Sequence, residues 1–208
     1  YSTVVAATAS TSITAAPQGR QLSERAFLKP LPAGTAICFH GGRLLSLSGE
    51  FLYYSKPYDY GVYDPAQDYI TLGAAGSILA SVESGVFVAA DRTWFYSGAD
   101  IAAAEPAELL DYGAVAGTEF NPPLKTNPTA GWYSAKGVVI GANDGTIVLQ
   151  QRAKGFIAPT GDSGAAWVRQ RDGQVHVVVS LGGSAAYDDK VSDDFTAARM
   201  RYDDDSTT

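Results

Sequence analysis

The chain has 208 residues, of which 46 % are hydrophobic, so it can bury a packed core. Its formal net charge is −7 and it has no basic cluster, which argues against sequence-specific nucleic-acid binding or an anionic membrane surface as the main interaction. No apolar run approaches the roughly 20 residues that a membrane span needs, so no membrane insertion is expected.

The first 35 residues are predicted to form an extended strand region followed by an arm. Residues 1–16 are rich in Thr, Ser, Val and Ala, which favours one or two strands, and Pro17 ends this stretch. Residues 18–35 combine charged residues with two prolines and two glycines. This composition is typical of a linker that packs on another surface, such as a neighbouring subunit.

Four hairpins are predicted next, because pairs of β-branched, aromatic or Leu-rich segments flank short polar turns. They are LLSLS–FLYYS (44–55), GVFVAA–TWFYSG (85–98), GVVIGA–TIVLQQ (137–151) and AAWVRQ–QVHVVVSL (165–181). The turns at 49, 91, 144 and 172 lie 42, 53 and 28 residues apart. The first two spacings suit a blade-sized β unit, and the last is too short for a full blade.

Further strands are predicted at TAICFH (35–40), SILASV (77–82) and GWYSA (131–135). The one helix-like stretch is ADIAAAEPAELLDYG (99–113), where Asp100 is a candidate N-cap and Pro106 limits the helix to one or two turns. The single cysteine, Cys38, excludes an internal disulfide, and its apolar neighbours Ile37 and Phe39 predict a buried core thiol.

Two loops are candidate contact surfaces. Residues 56–72, KPYDYGVYDPAQDYITL, are predicted to form an ordered loop. Its tyrosines either fill space over the sheet or line a binding surface, since tyrosine combines an apolar ring with a polar tip. They are Tyr58, Tyr60, Tyr63 and Tyr69. Residues 113–131 contain three prolines and form a long irregular connection of the kind where partners often bind.

The expected fold is therefore mainly β, an irregular propeller-like array of antiparallel hairpins and sheets with an extended N-terminal arm and an acidic C-terminal tail. The predicted divisions are 1–35 for the strand and arm, 36–184 for the propeller-like domain and 185–208 for the tail.

The sequence GDSG (161–164), followed by a strand, a turn and a VVVS strand, is similar to the nucleophile segment of a chymotrypsin-like serine peptidase. In such a site Ser163 attacks, His40 takes its proton and Asp91 orients the imidazole. However, Ala165 and the alanine after it stand where that family has Gly-Pro, and His40 lacks the surrounding Ala-Ala-His-Cys pattern. Asp91 lies in a predicted turn, and turns select Gly, Asp and Ser for conformational reasons alone. We therefore expect no enzyme and assign no catalytic residue.

No metal or cofactor site is predicted. His40 and His176 lie on separate predicted strands without suitable carboxylate spacing. The acidic groups of the tail lack the D-x-D-x-D-G loop of a calcium site, so they indicate a solvated tail. These groups are Asp188-Asp189, Asp193-Asp194 and Asp203-Asp204-Asp205.

Across residues 33–201 an ordered set of segments resembles a family of bacteriophage virion proteins described as structural or tail-associated. The segments are AICFHGGRLLSLSGEFLYYSKPYDYGVYDP, GVFVAADRTWFYSGADI, DYGAVAGT, SAKGVVIGANDGTI, GAAWVRQRDGQVHVVVSL and VSDDFTAARMR. The resemblance implies a mostly β, propeller-like virion protein without enzymatic activity. In that family the segment before the last hairpin is a variable loop with no required serine. Relatives carry more N-terminal sequence, so a complete propeller would need residues absent here or blades from neighbouring subunits.

Three functions are weighed. The first is a structural component of the phage tail or head–tail junction, located in the virion and forming a homo-oligomeric ring with other phage structural proteins. Its expected contact surfaces are the arm (17–35), the Tyr-rich loop (57–69) and the Pro-rich loop (118–130). The second is a tail-tip protein whose Tyr58 or Tyr60 touches a receptor on the host surface. The third is a peptidase with Ser163 as nucleophile.

Overall fold

A computed structural model describes residues 4–7, 13–15, 27–122, 129–151, 163–171 and 174–182. These ranges are mainly β, and their only helical element is a 3-10 turn at Ile101–Ala103. No helix within them is long and apolar enough to cross a membrane. The strands are β1 Val4–Ala7, β2 Ile13–Ala15, β3 Lys29–Pro30, β4 Ala36–His40, β5 Arg43–Ser48, β6 Phe51–Tyr54, β7 Val62–Tyr63, β8 Tyr69–Thr71, β9 Ile78–Val82, β10 Gly85–Ala89, β11 Thr93–Ser97, β12 Pro106–Leu110, β13 Ala130–Ser134, β14 Gly137–Gly141, β15 Ile147–Gln151, β16 Gly164–Arg171 and β17 Gln174–Leu181.

Most strands belong to four antiparallel sheets in which strands close in the sequence pair with each other. Sheet 1 has the order β4-β5-β6-β8, sheet 2 the order β9-β10-β11-β12, sheet 3 the order β13-β14-β15, and sheet 4 contains β16 and β17. Two further short antiparallel pairs are β1-β2 and β3-β7. The four predicted hairpins are confirmed as β5-β6, β10-β11, β14-β15 and β16-β17.

The sheets stack face to face, because successive sheets share an apolar core. Leu45 of sheet 1 packs in one core with Val86 and Val88 of sheet 2. Phe87 lies between these two valines and points to the other face of sheet 2, where it packs in a second core with Trp132 of sheet 3. Strand β10 is buried on both faces, which explains why it is a continuous apolar run rather than an alternating one.

A third core joins sheets 3 and 4. Ile140 and Val138 of β14 pack there with Val177 of β17. No closed barrel or propeller is found in the described part of the chain, so the propeller-like arrangement stays a prediction. Sheet 4 has two strands in the described part of the chain, in keeping with the short spacing of 28 residues between the turns at 144 and 172.

Two local predictions were wrong. The loop predicted at residues 56–72 contains β7 and β8, and β8 is the fourth strand of sheet 1. Pro106–Leu110, placed in the helix-like stretch, pairs with β11 as an edge strand. Proline lacks an N–H donor and is tolerated at the start of an edge strand, where no ladder bond is lost. The predicted cap is confirmed, because the Asp100 side chain accepts a hydrogen bond from the Ala102 amide.

The described end of the arm packs on the chain's own sheet 1. Strand β3 pairs with β7. The Ser46 hydroxyl donates to the Pro32 carbonyl at 2.7 Å, and the Thr35 amide donates to the Leu47 carbonyl at 2.7 Å. The predicted arm–domain boundary at 35/36 therefore falls within a continuous set of contacts. The predicted tail, residues 185–208, lies outside the described residues.

Candidate interaction surface

Strand β4 places its side chains alternately on the two faces of sheet 1. Ala36 and Cys38 pack against the core that sheets 1 and 2 share. Ile37 and Phe39 point to the opposite, outer face and are 65 % and 61 % exposed. Cys38 packs against the core, as the sequence predicted, whereas its neighbours Ile37 and Phe39 face outwards because successive residues of a strand face opposite sides.

Aromatic rings continue along this outer face. Phe39 meets Tyr60 edge to face with ring centroids 5.1 Å apart, and Phe51 meets Tyr69 in the same manner at 5.7 Å. The Phe51 and Tyr53 rings are also 5.7 Å apart. Such pairs contribute about 0.5–1.5 kcal/mol beyond the area they bury. We call this surface the aromatic face, defined by Ile37, Phe39, Phe51, Tyr53, Tyr60 and Tyr69.

The Tyr-rich loop supplies part of the aromatic face and is held by a charged network. The Lys56 ammonium lies 2.8 Å from the Asp68 carboxylate and 4.0 Å from that of Asp64. Asp68 also accepts a hydrogen bond from the Asp64 amide at 2.8 Å, and both aspartates are buried. Buried carboxylates need such partners, and the network therefore fixes where the loop presents Tyr60.

The four predicted tyrosines have different surroundings. Tyr63 is buried, with its ring against Tyr53, so it fills space over the sheet. Tyr58 is 82 % exposed and has a φ of +58°. Its amide donates to the Gly42 carbonyl at 2.9 Å. A left-handed conformation is uncommon for tyrosine, so backbone contacts hold an aromatic ring out in solvent at this position.

The residues proposed for a serine peptidase are not brought together. His40 Nε2 donates to the Gly98 carbonyl at 2.6 Å, which leaves Nδ1 to accept from the Ser81 hydroxyl at 3.1 Å. Among the described residues, neither Asp91 nor Ser163 is a hydrogen-bond partner of His40. Asp91 is exposed in the β10-β11 turn, and Ser163 is exposed beside β16. The first two residues of the GDSG segment lie outside the described ranges.

The other candidate ligands are also dispersed. His176 is half-buried on β17 in sheet 4, whereas His40 lies on β4 in sheet 1. Where side chains are described, no group of three or more His, Cys, Asp or Glu residues is arranged to hold a metal ion. The acidic pairs of the tail lie outside those residues.

A polar cluster that was not predicted from the sequence joins sheet 1 to residues 98–100, which follow β11 of sheet 2. Arg43 Nε donates to Asp100 Oδ1 at 3.0 Å, and its Nη1 donates to the Ser55 carbonyl at 2.9 Å. Partial burial raises the pKa of Asp100, but hydrogen bonds from the Ala102 amide and Arg43 outweigh this effect and hold that pKa below its usual value. With His40, these residues tie the β4-β5 turn to residues 98–100. The sequence around Arg43 does not indicate this ion pair, because its partner, Asp100, is 57 residues away.

Burial raises the pKa of the Cys38 thiol from 9.0 to about 12. Since the thiolate is the reactive species, native Cys38 should react with iodoacetamide about 1,000-fold more slowly at pH 8 than it does in the unfolded chain. The folded state also holds this proton more tightly, so its contribution to stability is lost as the pH rises from 9.0 towards 12. Alkylation followed by mass spectrometry, with and without denaturant, checks this. Equal rates would place the thiol outside the core.

No protein-family model matches the chain, and no curated protein matches it. The aromatic face is therefore interpreted from its own geometry. It combines exposed aromatic and apolar side chains, a sheet beneath them and a loop held by the Lys56–Asp68 ion pair.

Proposed function

We propose that this protein is a structural component of a bacteriophage virion, in the tail or at the head–tail junction, and that it works through subunit–subunit contacts. The aromatic face carries the proposal. Ile37 and Phe39 are exposed on the outer face of a sheet whose other face is packed, and contiguous exposed apolar side chains mark interaction sites. The resemblance of residues 33–201 to phage virion proteins supplies the setting.

The stacked sheets support an assembly role in a second way. Their strands are short, and edge strands such as β4 and β8 present backbone groups that a neighbouring subunit can cover. In the proposed particle, further subunits complete a propeller-like or ring-like arrangement that the stacked sheets of one copy begin. The function is architectural and requires no catalytic residue.

Gold-labelled antibodies on intact particles of the phage that encodes the chain test the proposal by electron microscopy. We expect label at the neck or along the tail. Because an antibody cannot reach an epitope buried in a contact, disrupted particles are probed in parallel by immunoblot. Antibody absorbed with the purified protein is the control. The virion proposal would be contradicted if infected cells contain the protein but particles lack it, both before and after disruption.

Tyr58 favours a second candidate, a tail-tip protein that binds the host surface. Its ring is exposed and held by a backbone conformation that tyrosine rarely adopts. Label at the tail tip, together with reduced adsorption of phage carrying Tyr58→Ala, would support this function. Val148→Ala is the matched control, because Val148 is an exposed apolar residue on a different sheet. Unchanged adsorption of the Tyr58→Ala phage would count against it.

A further inference from the structure

The outer face of sheet 4 presents one large aromatic ring among polar side chains. Ala166 and Val168 pack into the core between sheets 3 and 4, so Trp167 between them points away from that core and is 54 % exposed. Arg169 lies two residues further along β16 on the same face and is also exposed. The residues opposite these two on β17 are the half-buried Val178 and His176. This face therefore offers an indole ring with a cation beside it.

Arg169 has no acidic partner in the part of the chain that the structure describes. The ion pairs found there are made by other basic residues, namely Arg43, Lys56, Arg92 and Lys136. Strands β16 and β17 contain no Asp or Glu of their own. Carboxylates bind a guanidinium through charge-assisted hydrogen bonds, and aromatic rings pair with tryptophan. The segment that complements this face is therefore acidic and carries an aromatic residue.

The segment that follows β17 has this composition. Residues 183–208 lie outside the described ranges, and their sequence contains seven aspartates and three basic residues. The first two aspartates come directly after a tyrosine, in the order Tyr187-Asp188-Asp189. Residues 182–184 are Gly-Gly-Ser, which are residues that favour a reversal of the chain. A complementary segment is thus tethered a few residues from the face, which gives it a high effective concentration there.

The spacing of the two segments also matches. Trp167 and Arg169 are two residues apart on one face of β16, and Tyr187 and Asp189 are likewise two residues apart. Strand β17 ends opposite the first residue of β16. A chain that reverses over residues 182–184 runs beside β16 in the same direction and starts about level with its second residue. Tyr187 is then level with Trp167, and Asp189 is level with Arg169.

We infer that residues 185–190 fold back over the outer face of sheet 4, with Tyr187 against the Trp167 ring and Asp189 beside Arg169. An aromatic pair and an ion pair then hold one short tethered segment. The contact lies within one chain and does not depend on the virion proposal. A partner that binds this face must displace the acidic segment, so the segment limits access to Trp167.

Acrylamide quenching of Trp167 fluorescence in the purified full chain tests the contact. Each protein is compared with the same protein carrying Trp167→Phe, so that the difference reports this tryptophan alone. Arg169→Glu should raise the quenching, and so should Asp188→Lys combined with Asp189→Lys, because like charges replace an ion pair. We expect the ratio of bound to released segment to fall about 2- to 30-fold. Arg92→Glu, at an exposed arginine of sheet 2, is the matched control and should leave the quenching of Trp167 unchanged.

Combining Arg169→Glu with the two lysine substitutions brings opposite charges together again and should restore the protection of Trp167. Restoration separates a direct contact from a general loosening of sheet 4, which further substitutions would not reverse. Single changes that leave the quenching unaltered, or a combination that fails to restore protection, would overturn the inference. Circular dichroism checks that each variant folds, and Arg169→Gln replaces Arg169→Glu as the single change if that variant does not.

Two further measurements test the register and the source of the segment. Tyr187→Ala should raise the quenching of Trp167, whereas Tyr202→Ala should not, although Tyr202 also precedes two aspartates. Equal effects would overturn the assignment to residues 185–190. A contact within one chain gives the same protection at low and high protein concentration. Protection that is lost on dilution would overturn the inference, because the segment would then come from a second copy.

Discussion

Replacing Trp132 with alanine is expected to lower the free energy of unfolding by about 3–5 kcal/mol. Trp132 is fully buried between sheets 2 and 3, and its ring centroid lies 5.3 Å from that of Phe87. Its strand, β13, pairs with β14 along its whole length, and Val139 of β14 packs in the same core. Because the surrounding strands are held by these ladders, the core can collapse only partly around the cavity.

Trp167→Ala is the matched control for this prediction, because the same side chain is removed from an exposed position. We expect it to cost less than about 1 kcal/mol. Guanidinium unfolding of both variants, followed by circular dichroism at one low protein concentration, measures the difference. Equal losses of stability would contradict the assignment of Trp132 to the core between sheets 2 and 3.

Gly41→Ala is expected to cost at least about 3 kcal/mol, through backbone strain and a steric clash together. Gly41 lies in the β4-β5 turn with a φ of +54°, and an added Cβ would lie 1.5 Å from the Ala99 carbonyl oxygen. The clash is with backbone, so no side-chain rotation relieves it. The turn would have to move away from residues 98–100, weakening the contacts that His40 and Arg43 make there.

Gly49→Ala separates the two contributions. Gly49 has a similar φ of +58°, but nothing lies within 4 Å of an added Cβ. This variant should therefore show only the conformational cost of about 1–2 kcal/mol. Thermal and denaturant unfolding of both variants measure the difference. Similar losses would mean that residues 41 and 99 do not approach each other closely.

The local sequence pattern was sufficient to predict the hairpins, but it was insufficient to predict which apolar side chains are exposed. The turn at Asn143-Asp144-Gly145 and the alternation around it predicted β14 and β15, since turn chemistry and pleat are properties of neighbouring residues. The same local view could not show that Ile37 faces outwards. Whether an apolar strand residue is buried depends on which sheet packs against each face, and those sheets come from distant parts of the chain.

The polar sites show the same division. Asp100 was identified as a cap, because capping is a contact over two residues. Its ion pair with Arg43 spans 57 residues, and the hydrogen bond from His40 to Gly98 spans 58. The hypothetical triad failed for this reason: its three residues satisfied a motif in chain order, while the fold gave His40 other partners.

The amino-acid sequence by itself determined the mainly β class, the four hairpins and their turns, because β propensity, apolar alternation and turn-forming residues act over a few positions. The tertiary structure decided that the hairpins belong to stacked sheets, that β10 is buried on both faces, and that Phe39 and Trp167 face outwards. The physical reason is that sheet packing buries whichever face finds a partner, and those partners come from distant parts of the chain.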